Sequence, residues 1–413
     1  MSRLLKIPVT LIAATWIAML LSSQGSTNRA ECLWDRDTLR DEALGRPGTL
    51  EILTGRFDRQ PAEFYQDRLA RTLPLLSSPP TPLNLFDDCG VAYDRIHEGT
   101  EAINMMDRKL REMDSFRANP ARAEEHVDLD DHTYRYLANL GTFHIHRWVD
   151  NGRNMADTSD LSLAREYITK AIEINPDAHF GRERYQLLAV EWVLHDHQAD
   201  PIERPTFLHM IPGFAERTSD QIRYNAHILE DLGYEDVIEG LTGIVTMGAG
   251  WESIDVFYAL AWAFTDRGDS ALAKVCLLRV AELIDEEKRS LSPHFAHGGN
   301  WFSVGLDWLP RAESRNIEIY FELARMESDM WQTQRQNYTI QQIRTGTHPD
   351  TDSGFWSSWQ ETTSPPEFPS ASLLSGRIIS IFIIFILGGA TSLIVLRGLM
   401  KTVRRVPPPP STA

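Results

Sequence analysis

The chain has 413 residues, 42% of them hydrophobic, and a formal net charge of −17. That composition supports a folded core and excludes a chain disordered by its makeup. So acidic a body repels phosphate backbones, which argues against nucleic acid as a partner and makes basic proteins, basic peptides or metal cations its electrostatic complements; the expected partner is a protein or peptide, basic or apolar.

In chain order, Arg3 and Lys6 precede an uncharged apolar run over 7–21, followed by small and polar residues over 22–30. This is the layout of a secretory signal peptide, expected over 1–26. The apolar run falls short of the ~20 residues a bilayer span needs, although an uncleaved anchor helix remains the alternative. Residues 27–82 read as an N-terminal helical cap, in which a helix is expected over Pro61–Leu76, ahead of Pro79, Pro80 and Pro82. Apolar residues then recur at helical spacing. The predicted helices are Leu83–His97, Gly99–Met113, Asp131–Val149, Leu161–Ile174, Ala178–His197, Thr218–Leu232, Tyr234–Met247, Ile254–Arg267 and Ser270–Ile284. Asn175-Pro176, Gly233 and Gly268-Asp269 mark turns between them.

Residues 286–344 read as a C-terminal helical cap ending in a long, polar helix over Arg311–Arg344, and 345–377, rich in Thr, Ser, Asp, Gly and Pro, as a flexible stalk. Ile378–Leu396 carries no charge and is bounded by Arg377 and Arg397, which predicts a transmembrane helix over 378–396. Arg397, Lys401, Arg404 and Arg405 make 397–413 a basic tail and place it in the cytoplasm. The body is then expected outside it, periplasmic or extracellular, on a single-pass type I membrane protein. Cys89 and Cys276 lie on apolar helix faces and read as core residues, while pairing of Cys32 with Cys89 stays open in an oxidising compartment.

An internal repeat organises 83–285. One patch runs Phe86, Cys89-Gly90, Tyr93, Ala102 and Met106; a second runs Leu137, Leu140-Gly141, His144, Ala164, Ile168, Ala171 and Asn175-Pro176. A third runs Phe257, Leu260-Ala261, Phe264, Gly268, Ala273, Leu277 and Val280, and a weaker one begins near His179–Gly181 and Tyr185–Ala189. The small residues sit where paired helices must cross closely, and the aromatics fill the grooves between them. This pattern resembles the tetratricopeptide repeat, a helix–turn–helix unit. The resemblance implies an all-α, helix-turn-helix repeat solenoid, here followed by one C-terminal transmembrane helix. No unit shows the full motif, and the stretch near 200–250 fits it poorly.

The resemblance further implies a concave surface lined by the first helix of each unit, binding a protein or peptide partner. The implied groove positions are Asn84, Asp87, Val91, Asp94 and Arg95 in the first unit and Arg135, Thr142 and His146 in the second. Asp255, Tyr258, Trp262 and Asp266 supply the third. Tyr258 and Trp262 are the leading positions, because two large aromatics one turn apart on an exposed face imply a cover.

The chemistry-bearing residues fall into no catalytic, cofactor or metal motif. His144 and His146, like His195 and His197, are two apart and face different sides of a helix, so neither pair chelates one ion. Asp128, Asp130 and Asp131 lack the glycine and terminal Glu of a calcium loop, and Gly248-Ala249-Gly250 is too short to cradle a phosphate. Asn337-Tyr338-Thr339 is a glycosylation sequon. The reading is a membrane-tethered scaffold, not an enzyme. The alternatives are a hydrolase of envelope polymers with scattered acidic groups, and a purely structural subunit of a membrane complex.

Overall fold

The structure, a computed structural model, describes residues 47–77, 81–119, 128–176, 181–195, 205–214, 227–246, 249–291 and 309–369. The leader, the basic tail and the segment 378–396 lie outside these residues. Among the described residues no strand occurs, and no helix is long and apolar enough to cross a membrane. The described residues are all-α, with twelve α-helices among them: α1 (Thr49–Thr54), α2 (Ala62–Thr72), α3 (Asn84–Arg95), α4 (Gly99–Ala118), α5 (Leu129–Asp150), α6 (Ser159–Ile174), α7 (Arg182–His195), α8 (Ile228–Asp231), α9 (Val237–Thr246), α10 (Ile254–Asp266), α11 (Ser270–Asp285) and α12 (Arg311–Arg344).

Local chemistry sets many of the boundaries. Asp128 accepts from the Asp130 and Asp131 amides at 3.2 and 3.1 Å and opens α5, so the acidic triplet is a helix cap. Ser253 and Asp269 do the same for α10 and α11. The main packing pairs are α3 with α4, α5 with α6 and α10 with α11. At the crossings a Cβ added to Gly90 would lie 2.9 Å from Met106 Cε, and one added to Gly141 would lie 2.6 Å from Ile168 Cγ1. Ala102, Ala164 and Ala273 are buried on the partner helices. Thus the residues expected at close crossings are where helices meet.

The two expected caps do not sit apart at opposite ends. Helix α12 packs on α1, α2 and α11, which joins the N-terminal and C-terminal segments. Arg56 Nε reaches Glu327 at 3.1 Å, Arg325 Nη1 donates to the Thr54 carbonyl at 2.8 Å, and Arg335 pairs with Asp58. Gly55 ends α1 with φ of 89°, and a Cβ there would lie 2.6 Å from the Trp251 ring. That ring is met by the guanidinium groups of Arg279, Arg59 and Arg325 at 3.9, 4.8 and 5.0 Å. An array with open ends would leave these groups in water; here they close it.

The stalk reading of 345–377 fails over 345–369. His348 is fully buried, stacks on Phe64 at 4.6 Å and meets the Phe64 carbonyl at 3.2 Å. Asp350 receives Arg68 Nε and Nη2, each at 2.8 Å, and Phe368 packs edge-on against Tyr320 at 4.9 Å. Arg335 lies 3.8 Å over Trp356, and Tyr338 donates its hydroxyl to the Phe355 carbonyl at 2.5 Å. Aromatics spaced through a polar segment supplied enough apolar area to dock it. Residues 370–377 lie outside the described residues.

Candidate functional site

The implied groove residues do not form a free recognition surface. Asp87 is 1% exposed, and both its oxygens lie 2.7 Å from Lys109 Nζ, itself fully buried in α4. Asn139 of α5 donates to the same carboxylate at 3.2 Å. Burial pushes Asp87 up to about 6, against the pull of Lys109, and burial lowers Lys109 in turn. Asp94 lies 2.8 Å from His146 Nδ1, and Arg135 pairs with Asp131 at 2.8 Å one turn back. Thr142 donates to the Ala138 carbonyl at 2.9 Å and accepts from Gln186 Nε2 at 3.3 Å. Val91 is buried, Arg95 is half-buried, and Asn84 is exposed at the start of α3.

The third set is likewise consumed inside the fold. Asp255 accepts from Ser290 Oγ at 2.5 Å and from the Leu291 amide at 2.8 Å, holding the chain that leaves α11. Asp266 accepts from the Ile228 and Leu229 amides, both at 3.0 Å, and so caps α8 from across the fold. Burial raises the carboxyl groups of both Asp255 and Asp266. Tyr258 and Trp262 are 6% and 4% exposed, contrary to the expectation of an open aromatic face, and burial moves the Tyr258 hydroxyl up to about 12.

The cover over Tyr258 and Trp262 is the chain itself. The segment 205–214 runs between α7 and α10 with Phe207 against Trp192 at 6.4 Å, and with His209 and Phe214 against Trp262 at 4.6 and 6.4 Å. Phe207, Leu208, Ile211 and Phe214 are each at most 1% exposed. Burying one such side chain stabilises by ~1.5–3 kcal/mol, so the four together contribute about 6–12 kcal/mol. With all four side chains buried, this stretch is core.

His144 pairs with Asp160 at 2.7 Å and His146 with Asp94, on different faces of α5 as the spacing predicts. Among the described residues, no group of three His, Cys, Asp or Glu side chains is placed to hold a metal ion. Cys89 and Cys276 are buried, and Cys32 lies outside the described residues. In the sequon, Asn337 is exposed, but Thr339 is fully buried in the C-terminal turns of α12.

One surface was missed. Four large apolar residues of α12 face solvent: Ile319, Leu323, Met326 and Met330, at 41%, 48%, 56% and 48% exposure. Their 4-3-4 spacing places them on one stripe, the seam of a heptad pattern. Ile317, Tyr320, Phe321, Ala324 and Trp331 form the opposing buried face. The spacing is visible in the sequence, but abundant polar residues mask two apolar stripes on one helix. Comparison with family models, with curated proteins and with solved structures gave no match.

Proposed function

We propose that this chain is a partner-binding scaffold: a tetratricopeptide-like helical body, tethered by 378–396 with its body outside the cytoplasm, that docks a partner on the outer stripe of α12. The close crossings at Gly90 and Gly141 and the buried alanines support the repeat-like reading of the helix pairs. The docking reading is carried by the stripe of Ile319, Leu323, Met326 and Met330. It spans about three helical turns, and a contiguous exposed apolar stripe of this kind marks an interaction surface. Residues 205–214 fill the space between α7 and α10, so the partner is assigned to the outer stripe of α12.

The size of the stripe sets the strength of docking. Each side chain is already about half covered, so covering the rest gains ~1 kcal/mol apiece, about 4 kcal/mol in all. Before the cost of association, that gain corresponds to a dissociation constant no tighter than about millimolar. A membrane tether compensates by raising the effective concentration of a partner held in the same membrane.

A photo-cross-linking residue placed at Met326 tests this in membranes of the source cells, with one at exposed Glu166 of α6 as control. A discrete adduct is expected from position 326 and not from 166. It should disappear when Leu323→Gln and Met330→Gln are added. Equal adducts from both positions, or an adduct indifferent to those substitutions, would refute the reading.

A further inference from the structure

Resting on that docking reading, we infer that the occupant of the α12 stripe is an amphipathic helix flanked by Lys and Arg, rather than a second copy of this chain. The charges beside the stripe carry the argument. On one flank, exposed Glu322 has no ion pair among the described residues. Asp329, 58% exposed, shares Arg325 with Glu282. On the other flank Arg56 serves three carboxylates: Glu361 at 2.7 Å, Glu327 at 3.1 Å and Glu51 at 3.9 Å. Glu327 lies on α12 itself, one position from Met326, and Glu51 faces Tyr320, whose hydroxyl is raised to about 12 by burial and by Glu51 and Glu327. Among the described residues, the basic groups that ion pairs bring to these flanks are Arg56, buried Arg325 with Arg279 on Glu282, and Arg315 with Lys274, which meet Glu318 at 3.4 and 3.3 Å. The Arg56 flank therefore carries excess negative charge, and on the other flank exposed Glu322 is the carboxylate without an ion pair among the described residues.

Self-pairing puts these charges against themselves. An antiparallel two-fold that seats Leu323 on Met326 of a second copy also brings Glu322 beside Asp329 twice. A parallel pairing brings Glu322 toward Glu327. Like charges at flanking positions oppose such pairing, whereas Lys or Arg there would relieve both flanks at once. Positive residues on the partner also speed the encounter with a chain of net charge −17.

The test uses the full chain and two synthetic four-heptad helices with Leu and Ile at the seam, one flanked by Lys and the other by Glu. Binding is read by fluorescence anisotropy at low and at physiological salt. The Lys-flanked helix should bind at least about tenfold more tightly, a difference of ~1.4 kcal/mol, with the preference shrinking as salt rises. Binding should be lost in the Leu323→Gln, Met326→Gln chain, whose substituted residues are exposed. If both helices bind equally and both are lost in that variant, the docking surface stands and the basic occupant is overturned. If binding persists in the variant, the docking reading itself fails. Absence of binding by either helix overturns the inference, as does a dimer of the chain in light scattering that the variant dissolves.

Discussion

Replacing Lys109 by Met probes the polar heart of the α3–α4–α5 junction. Lys109 is fully buried with its Nζ 2.7 Å from both oxygens of Asp87, and Asn139 is the other donor, at 3.2 Å. Methionine keeps most of the volume and removes the charge, leaving a carboxylate in the interior with an amide beside it. Breaking a buried ion pair this way costs about 3–5 kcal/mol. The cost depends on pH. Asp87 already sits at about 6, raised from 3.8 by burial, and loss of Lys109 raises it further. A carboxyl raised in the folded state holds its proton where the unfolded chain has released it, so stability falls as pH rises between the two values. For Lys109→Met the fall reaches ~1.4 kcal/mol per pH unit and continues through pH 7, whereas in the unaltered chain it ends near Asp87's own value. Adding Asp87→Asn removes both charges, and this double variant should return to within about 1 kcal/mol of the unaltered chain without that slope. Urea titrations followed by helical circular dichroism at pH 5 and pH 7 measure all three proteins. A Lys109→Met penalty below about 1 kcal/mol at pH 7, or one equal to that of the double variant, would refute the reasoning.

Gly141→Ala forces a Cβ to 2.6 Å from Ile168 Cγ1 and should cost about 1–3 kcal/mol by overpacking. Gly152→Ala, at φ of 86° with open space, should cost only the ~1–2 kcal/mol of a left-handed backbone; a Gly141→Ala variant as stable as the unaltered chain would contradict the tight crossing. Trp262→Ala opens a cavity beneath 205–214 and should cost about 3–5 kcal/mol, with limited proteolysis cutting first within 205–214 and leaving the α3–α4 pair resistant. Earliest cleavage elsewhere would show that Trp262 does not hold the segment. Burial, Lys109 and Arg135 lower His132 to about 4, so the folded chain resists a proton that the unfolded chain accepts below pH 6.5. Stability therefore falls as pH drops from 6.5 toward 4, and His132→Gln should recover about 1 kcal/mol of that loss once partial exposure is allowed for. An unchanged acid slope assigns the loss to other groups.

The helices were legible because helical periodicity is local. Ser270–Asp285 differs by one residue from its expected end, and Arg311–Arg344 agrees with expectation at both. The crossings at Gly90 and Gly141 were legible too, since a missing side chain within an apolar stripe signals close approach. The groove assignments were less so. Asp255 and Asp266 do lie on the first helix of a pair, but an acidic side chain looks the same in sequence whether it faces a ligand or caps a distant amide. The α12 stripe was visible as a spacing, yet which of its two apolar faces meets the body depends on what arrives against it.

Sequence alone determined that this is a chain of paired amphipathic helices with an acidic balance, because side-chain spacing and turn residues act over a few positions. Tertiary structure decided that 205–214 packs between α7 and α10, that 345–369 docks rather than dangles, and that α1 and α12 meet. The contacts that close the fold join residues about 270–280 positions apart, such as Arg56 with Glu327 and Arg68 with Asp350. Which distant groups pair depends on where every intervening helix leaves the chain, and no local pattern carries that information.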